Sequence, residues 1–342
     1  MEHGVRAAPD TRQASQSASQ PDAQSAVRCP ACGASNSTEV DALATADLAD
    51  LYRRRGLDVG AYFDAVPVIR RFRCDSCDLG YFSPPCPGDG QFYEQLQTQP
   101  WYYQDAKPEY AFATGFIKNG DKVLEVGCGK GAFRAFLPAD IDYQGLEFNE
   151  EAVRKAQAAG LSVHREYVEE HALSHPRHYQ VVCSFQVLEH VPAPDTFVRA
   201  CVQALAPNGL LIIAVPAEDS FLAVAPNAPL NMPPHHVLRW SDQALRKLAA
   251  REGLQVETLW HEPIASFHEE WQTQALAHHY FVLRGWHRNK LIDNSLRHRL
   301  IGRLLRREQL RRALARQVAQ QNPVLGNGHT VVLVASRPAD AS

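Results

Sequence analysis

Val123-Leu124-Glu125-Val126-Gly127-Cys128-Gly129-Lys130-Gly131-Ala132-Phe133 decides the fold. An apolar run broken only by Glu125 reads as a buried strand. The glycines behind it let the backbone turn sharply and approach a ligand where side chains would stand in the way. Glu147 lies twenty residues beyond Gly127, at the end of the next expected strand, where a carboxylate accepts hydrogen bonds from both hydroxyls of a ribose. The two features together describe a nucleoside-binding site at a strand–turn–helix junction.

Outward from this stretch, short apolar runs alternate with helical segments, which is the pattern of βαβ units and a parallel sheet. Strands are expected over Lys122–Val126, Tyr143–Glu147, Leu161–Arg165, Gln180–Phe185, Leu210–Val215, Gln255–Leu259 and Thr330–Ala335. Helices are expected over Glu150–Ala159, Asp195–Leu205 and Ser241–Glu252, with Asn149 and Ser241 as caps, and a further helix over Trp101–Lys118 leads into the sheet. Gly127, Gly129 and Ala132 also satisfy the dinucleotide fingerprint. Glu125 argues against that ligand, because a carboxylate two residues before the first glycine repels a pyrophosphate but suits an ammonium and a sulfonium. S-adenosylmethionine carries both.

These residues resemble the class I S-adenosylmethionine-dependent methyltransferases, whose first motif has the form acid-x-Gly-x-Gly-x-Gly, as Glu125 to Gly131 does. Further marks are Val181 to Val191, with Leu188-Glu189-His190-Val191 at the exit of the fourth strand, and Leu205-Ala206-Pro207-Asn208-Gly209 before the fifth. Asn208 replaces the usual glycine, and Gln180 stands where the family has Asp. The resemblance implies a Rossmann-like α/β sheet of seven strands. It implies that Glu125, Gly127 and Gly129, in the loop that also contains Cys128 and Gly131, hold the methionine end of the cofactor and Glu147 the ribose. Tyr167 and Val168 would flank the adenine, and Phe185 and Gln186 would line the methionyl side.

Methyl transfer from a sulfonium needs an aligned acceptor and, at oxygen or nitrogen, removal of a proton. Three histidines are candidate bases or acceptor-orienting groups: His190, and His235 and His236 in the proline-led loop Asn231-Met232-Pro233-Pro234-His235-His236. Their alternative is structural, capping a helix start or bracing the loop. The Glu189/His190 pair resembles a feature of ubiquinone-type O-methyltransferases, where a metal-assisted hydroxyl is conceivable, and the sequence shows no other metal-ligand spacing near it.

Cys29-Pro30-Ala31-Cys32 and Cys74-Asp75-Ser76-Cys77 read as two knuckles of a structural zinc site, the alternative being four free thiols. The long spacing between them calls for an inserted helix near Asp47–Arg55. A zinc module ahead of a methyltransferase domain is similar to bacterial enzymes that modify sugars, polysaccharides and envelope or secondary metabolites.

The chain has 342 residues, 45% hydrophobic and 21% charged, with formal charge −3, so bulk attraction to nucleic acid is absent and the chain is long enough for about two domains. Residues 284–316 carry eleven Lys or Arg against two acids, a balance of +9 that leaves −12 on the remainder. Ile292, Leu296, Leu300 and Leu304, then Leu310, Leu314 and Val318, recur at helical spacing, making a basic amphipathic helix or helix pair. It reads as a solvated face, a lid over a phosphate-bearing acceptor, or a membrane-surface helix.

The expected organisation is a disordered leader (1–27), a zinc-ribbon-like module (28–100), the methyltransferase core (101–268), a basic helical insertion (269–322), the last core strand (323–338) and a tail (339–342). With no apolar run long enough to span a bilayer and no signal-peptide pattern, the reading is cytoplasmic. The expected activity is methylation, at oxygen, of a small-molecule or saccharide acceptor. The alternatives are an RNA methyltransferase that grips RNA through the zinc module and a non-catalytic scaffold that binds the cofactor without turnover.

Overall fold

The computed structural model describes residues 27–97, 99 and 105–339. The leader, apart from Val27, lies outside the described residues, as do Trp101 and positions 340–342. The strands are β1 (Ser37–Ala44), β2 (Val68–Cys74), β3 (Gly80–Ser83), β4 (Lys122–Val126), β5 (Asp142–Leu146), β6 (Val163–His164), β7 (Tyr179–Phe185), β8 (Leu205–Pro216), β9 (Leu238–Arg239), β10 (Gln255–His261) and β11 (Thr330–Ser336). The helices are α1 (Thr45–Arg53), α2 (Gly90–Gln97), α3 (Pro108–Thr114), α4 (Glu150–Ala158), α5 (Val168–Ser174), α6 (Pro194–Ala204), α7 (Asp242–Arg251), α8 (Glu269–Leu283), α9 (Leu296–Leu304) and α10 (Glu308–Gln321).

Seven strands form the main sheet in the order β10-β11-β8-β7-β4-β5-β6. β4 to β8 pair in parallel, and β11 runs antiparallel between β8 and β10. The strand order reverses between β4 and β7, so the crevice at their carboxyl ends is where such a sheet binds ligands. Asn149 caps α4 by accepting the Ala152 N–H at 2.8 Å, and Ser241 caps α7 by accepting the Ala244 N–H at 3.1 Å. The third strand is shorter than its sequence suggests, two residues at the sheet edge. β8 starts at Leu205, five residues earlier than expected, because Asn208 takes the left-handed conformation (φ 62°) that lets the turn before Gly209 join the strand. The helix expected from Trp101 begins, within the described residues, at Pro108, whose ring suits the first helical turn.

The second sheet is antiparallel, in the order β1-β2-β3-β9. Its last strand comes from the segment between β8 and α7, so the cysteine-bearing residues and the core share a sheet. They share a core as well: Cys29, Cys74, Cys77, Leu79 and Tyr81 pack in one buried cluster with Leu124, Val215 and Trp240. Arg71 and Arg239 both pair with Glu218, at 2.5 and 2.6 Å, across the junction. The inserted helix is present as α1.

The stretch before the last strand forms three helices. Ile301 and Leu305 bury against α8 and α10, whereas Leu296, Leu300 and Leu304, read from the sequence as an apolar face, are 67%, 51% and 41% exposed. The two sets stand one residue apart, about 100° around the helix.

Candidate active site

A cleft of about 1320 Å³ opens at the carboxyl edge of β4, β5 and β7 and continues to the loop that carries His235 and His236. The glycine loop forms its floor. Gly127 (φ 76°) and Gly131 (φ 80°) adopt the left-handed region, and a Cβ on either would lie 2.3 Å from Val187 or Leu161. Cys128 faces away from the cleft: its sulfur would sit 2.5 Å from a Cβ on Gly145, and the side chain packs with Val153, Ala156 and Val163 beneath β5. Only the backbone of Cys128 is placed to meet a ligand. Gly131 likewise serves packing, with its own Cβ space taken by Leu161.

Glu147 organises this floor. Its Oε2 accepts the Gly129 N–H at 2.9 Å and its Oε1 the Asn149 N–H at 2.7 Å. A carboxylate has about four acceptor positions, so two remain for ribose hydroxyls. Glu125 is buried at 1% exposure and accepts the Tyr143 hydroxyl at 2.5 Å. Burial pushes its carboxyl up to about 8, against the pull of Tyr143 and Lys107, with Glu147 adding to the rise. A cationic ligand would reverse that balance. Tyr143 and Lys107 are contributors the sequence did not single out.

Tyr167 is 55% exposed and its ring is tilted against that of Phe148, with centroids 3.8 Å apart, at the rim beside Val168. Two aromatic faces there suit a purine. Phe185 is buried among Tyr110 and Phe133 and reaches the cleft with its edge. Gln186, held at φ 59°, donates through Nε2 to Glu109 Oε1 and Thr330 Oγ1, both at 3.2 Å.

On the other wall the fold joins what the sequence separates by 45 residues. His190, His235 and His236 each place a ring nitrogen within 4.8 Å of the other two. His190 Nδ1 donates to the His235 carbonyl at 2.6 Å, His235 Nδ1 to the Leu230 carbonyl at 2.8 Å, and His236 Nδ1 to Asn231 Oδ1 at 3.2 Å. Those acceptors fix the proton of each ring on Nδ1 and so put its lone pair on Nε2. Glu189, 1% exposed, stands 3.7 Å from His190 Nε2 and 3.8 Å from His236 Nε2, and both its oxygens lack a hydrogen-bond partner. Burial raises Glu189 to about 8, lowers His190 to about 4 and holds His235 and His236 well below the usual imidazole range. At neutral pH these are three neutral imidazoles beside a buried carboxyl, a set that can accept a proton or hold a divalent cation.

The histidine loop is braced from the N-terminal sheet. Tyr52 OH donates to the Pro229 and Met232 carbonyls at 2.7 and 2.9 Å, Gly88 N–H to the Pro234 carbonyl at 2.7 Å, and Phe82 N–H to the Val237 carbonyl at 3.2 Å. Val237 N–H in turn donates to the Glu189 carbonyl at 3.0 Å.

The four cysteines come together at the far end of that sheet. Cys29 and Cys77 sulfurs lie 3.5 Å apart, as do those of Cys32 and Cys74. Zn–S bonds of about 2.3 Å require sulfur separations of about 3.8 Å at a tetrahedral ion, so the set fits zinc. The two knuckles are alike in their turns: Gly33 N–H donates to the Cys29 carbonyl and Asp78 N–H to that of Cys74, both at 2.8 Å. Asp78 (φ 70°) takes the left-handed position that Gly33 (φ 73°) fills in the first, so the departure from glycine is accommodated.

Residues 95–259 match the family described as a methyltransferase domain. The described fold is that of a SAM dependent methyltransferase from Archaeoglobus fulgidus, whose crystal structure aligns with TM-score 0.50 at 15% identity, over 72% of this chain and 100% of that one. Residues 95–259 form a methyltransferase domain, on the fold of the class I S-adenosylmethionine-dependent enzymes. Its sequence is 32% identical over 158 residues to the ubiquinone biosynthesis O-methyltransferase of Citrobacter koseri, covering 40% of this chain and 65% of that protein. Against the protein of the same name from Yersinia pestis (strain Pestoides F) it is 33% identical over 145 residues, covering 36% and 60%. The chain thus spans less than two thirds of the length of these curated relatives. No described helix is long and apolar enough to cross a membrane.

Proposed function

We propose that the chain transfers the methyl group of S-adenosylmethionine to an oxygen of a small-molecule or saccharide acceptor. One observation carries the reading. The methyltransferase glycine loop, with Glu147, and the buried Glu189–His190–His235–His236 cluster face one continuous cleft, which is large enough for a nucleoside cofactor and a second molecule.

When bound, the cofactor supplies an already activated methyl on its sulfonium, so the residues here need only align the acceptor and take its proton. Glu147 offers two free acceptor positions to the ribose, Glu125 opposes the positive end, and Phe148 with Tyr167 covers the adenine. An imidazole Nε2 of the cluster takes the proton of the acceptor hydroxyl. Oxygen as the methylated atom is supported by the relatives being O-methyltransferases by name.

The reading includes a structural zinc ion at Cys29, Cys32, Cys74 and Cys77, whose work is to hold the sheet that braces the histidine loop. It also includes a peripheral contact of α9 with an anionic membrane surface, supported by the exposed Leu296, Leu300 and Leu304 alternating with Arg297, Arg299 and Arg303. Sedimentation with anionic liposomes, lost when Arg303, Arg306 and Arg307 are changed to Glu, is expected; no sedimentation of the wild type removes this contact.

The decisive experiment follows methyl transfer from labelled S-adenosylmethionine to panels of nucleotide-sugars and hydroxylated metabolites. Transfer to one panel is expected, abolished in His235→Ala or His236→Ala while cofactor binding persists. A chain that binds no S-adenosylmethionine refutes the proposal, and one that binds it but methylates RNA corrects the acceptor.

A further inference from the structure

The helical insertion holds another group of ligand-type side chains, apart from the cysteines and the histidine-lined cleft. His287 follows α8, Asp293 precedes α9 and His298 lies in the first turn of α9, and each places one donor atom within 4.8 Å of the other two. The arrangement is built. Asp293, 5% exposed, is clamped by Asn227, whose Oδ1 accepts its N–H at 2.9 Å and whose Nδ2 donates to its carbonyl at 3.0 Å. Asp293 Oδ1 accepts the Ser295 N–H at 2.9 Å, and Oδ2 meets His287 Nε2. Behind them His278 of α8 stacks on His298 with ring centroids 4.5 Å apart, and the Nδ1 atoms of both rings are buried with no hydrogen-bond partner. A cavity of about 10 Å³, the size of one ion or one water, lies among these side chains.

We propose that His287, Asp293 and His298 form a binding site for a divalent transition-metal ion of the zinc class, which fastens the α8–α9 turn to the start of α9. Two imidazoles and one carboxylate are ligands for zinc and its first-row neighbours, whereas magnesium and calcium seek six or more oxygens. Bonds of about 2.0–2.2 Å place tetrahedral ligand atoms about 3.4 Å apart, so an ion entering here parts His287 Nε2 from Asp293 Oδ2, now in direct contact, with all three donor atoms already within 4.8 Å of one another and water in the fourth position. Arg288 and Lys290 stand at the rim, exposed to solvent rather than among the donors.

The test uses the full chain saturated with Zn²⁺, desalted and assayed for zinc per chain by mass spectrometry. Wild type is compared with Asp293→Asn, which keeps an oxygen for Ser295, and with His298→Gln. Each variant is expected to hold one zinc ion fewer than wild type. In Co²⁺-loaded protein the thiolate charge-transfer band of the cysteine site is expected to persist while the absorption of a nitrogen- and oxygen-ligated ion disappears. Equal zinc content in the three proteins overturns the proposal. Should a variant fold poorly by circular dichroism, trypsin digestion of the wild type decides: Zn²⁺ is expected to protect the bonds after Arg288 and Lys290, and cleavage that is indifferent to Zn²⁺ also overturns it.

Discussion

Replacing Glu147 by Gln tests the cofactor floor with little change of shape. In the structure the carboxylate already satisfies Gly129 and Asn149, with one oxygen for each N–H. Those two bonds exist without ligand, so their weakening lowers the stability of the free protein and largely cancels from binding. What binding loses is on the ribose side. The amide has one acceptor oxygen instead of two and no charge, so one charge-assisted bond disappears and the other becomes neutral. A hydrogen bond to a charged group contributes about 1.5–3 kcal/mol, so a net loss of about 2–3 kcal/mol is expected, a rise in Kd of roughly 30- to 150-fold.

Isothermal titration with three ligands separates this from general damage. S-adenosylmethionine, S-adenosylhomocysteine and methylthioadenosine share adenine and ribose, but the last lacks the amino-acid end. Glu147→Gln is expected to weaken all three alike, whereas Glu125→Gln spares methylthioadenosine. A Kd within threefold of wild type for Glu147→Gln, or a loss confined to ligands with the amino-acid end, refutes the assignment of Glu147 to the ribose.

Because burial holds Glu125 at about 8, the free protein carries its proton at pH 7 and a cationic ligand expels it. Titrations of S-adenosylmethionine in buffers of different ionisation enthalpy are expected to show more proton release by wild type than by Glu125→Gln, and equal release contradicts the placement of the cation beside Glu125. His190, lowered by burial to about 4 from an ordinary 6.5, contributes stability that is complete above pH 6.5 and lost as pH falls towards 4. That amounts to about 3 kcal/mol, and thermal melts of wild type and His190→Gln are expected to converge across this window; parallel curves would show that His190 takes up its proton as easily folded as unfolded. In protein loaded with Zn²⁺ at the proposed cysteine site, removing that ion with a chelator is expected to speed amide hydrogen exchange over residues 229–237, which Tyr52, Phe82 and Gly88 hold in place. Unchanged exchange there would mean that the brace does not depend on the metal.

The parts of the site that were legible in the sequence are those whose partners lie close in the chain. The glycine turn and Glu147 are one βα unit apart, and both knuckles announce themselves in four residues. His190 and the His235/His236 pair could be nominated separately, but nothing local says that they meet. They meet because the loop is bonded to the turn after β7, Val237 N–H to the Glu189 carbonyl and His190 Nδ1 to the His235 carbonyl, and β9, which anchors the loop to β3, is only two residues long and carries no periodicity to read. The same limit hides Tyr143 behind Glu125, since a tyrosine on a strand looks like core until its hydroxyl is seen to point at a carboxylate. In α9 the sequence offers two apolar stripes a residue apart, and only the packing against α8 and α10 decides which one is buried.

The pairing of β9 with β3 has a consequence for how such a chain can be divided or recombined. A fragment starting at α3 would leave β9 with an unpaired edge and uncover Trp240 and Leu238, while a fragment ending before α3 would lose the strand that closes its sheet and the Arg239–Glu218–Arg71 junction. Neither half is a cassette. A cysteine-bearing segment taken from one such protein can serve another only if residues 217–240 travel with it, so the two stretches are expected to change together over evolutionary time even though more than a hundred residues separate them in the chain.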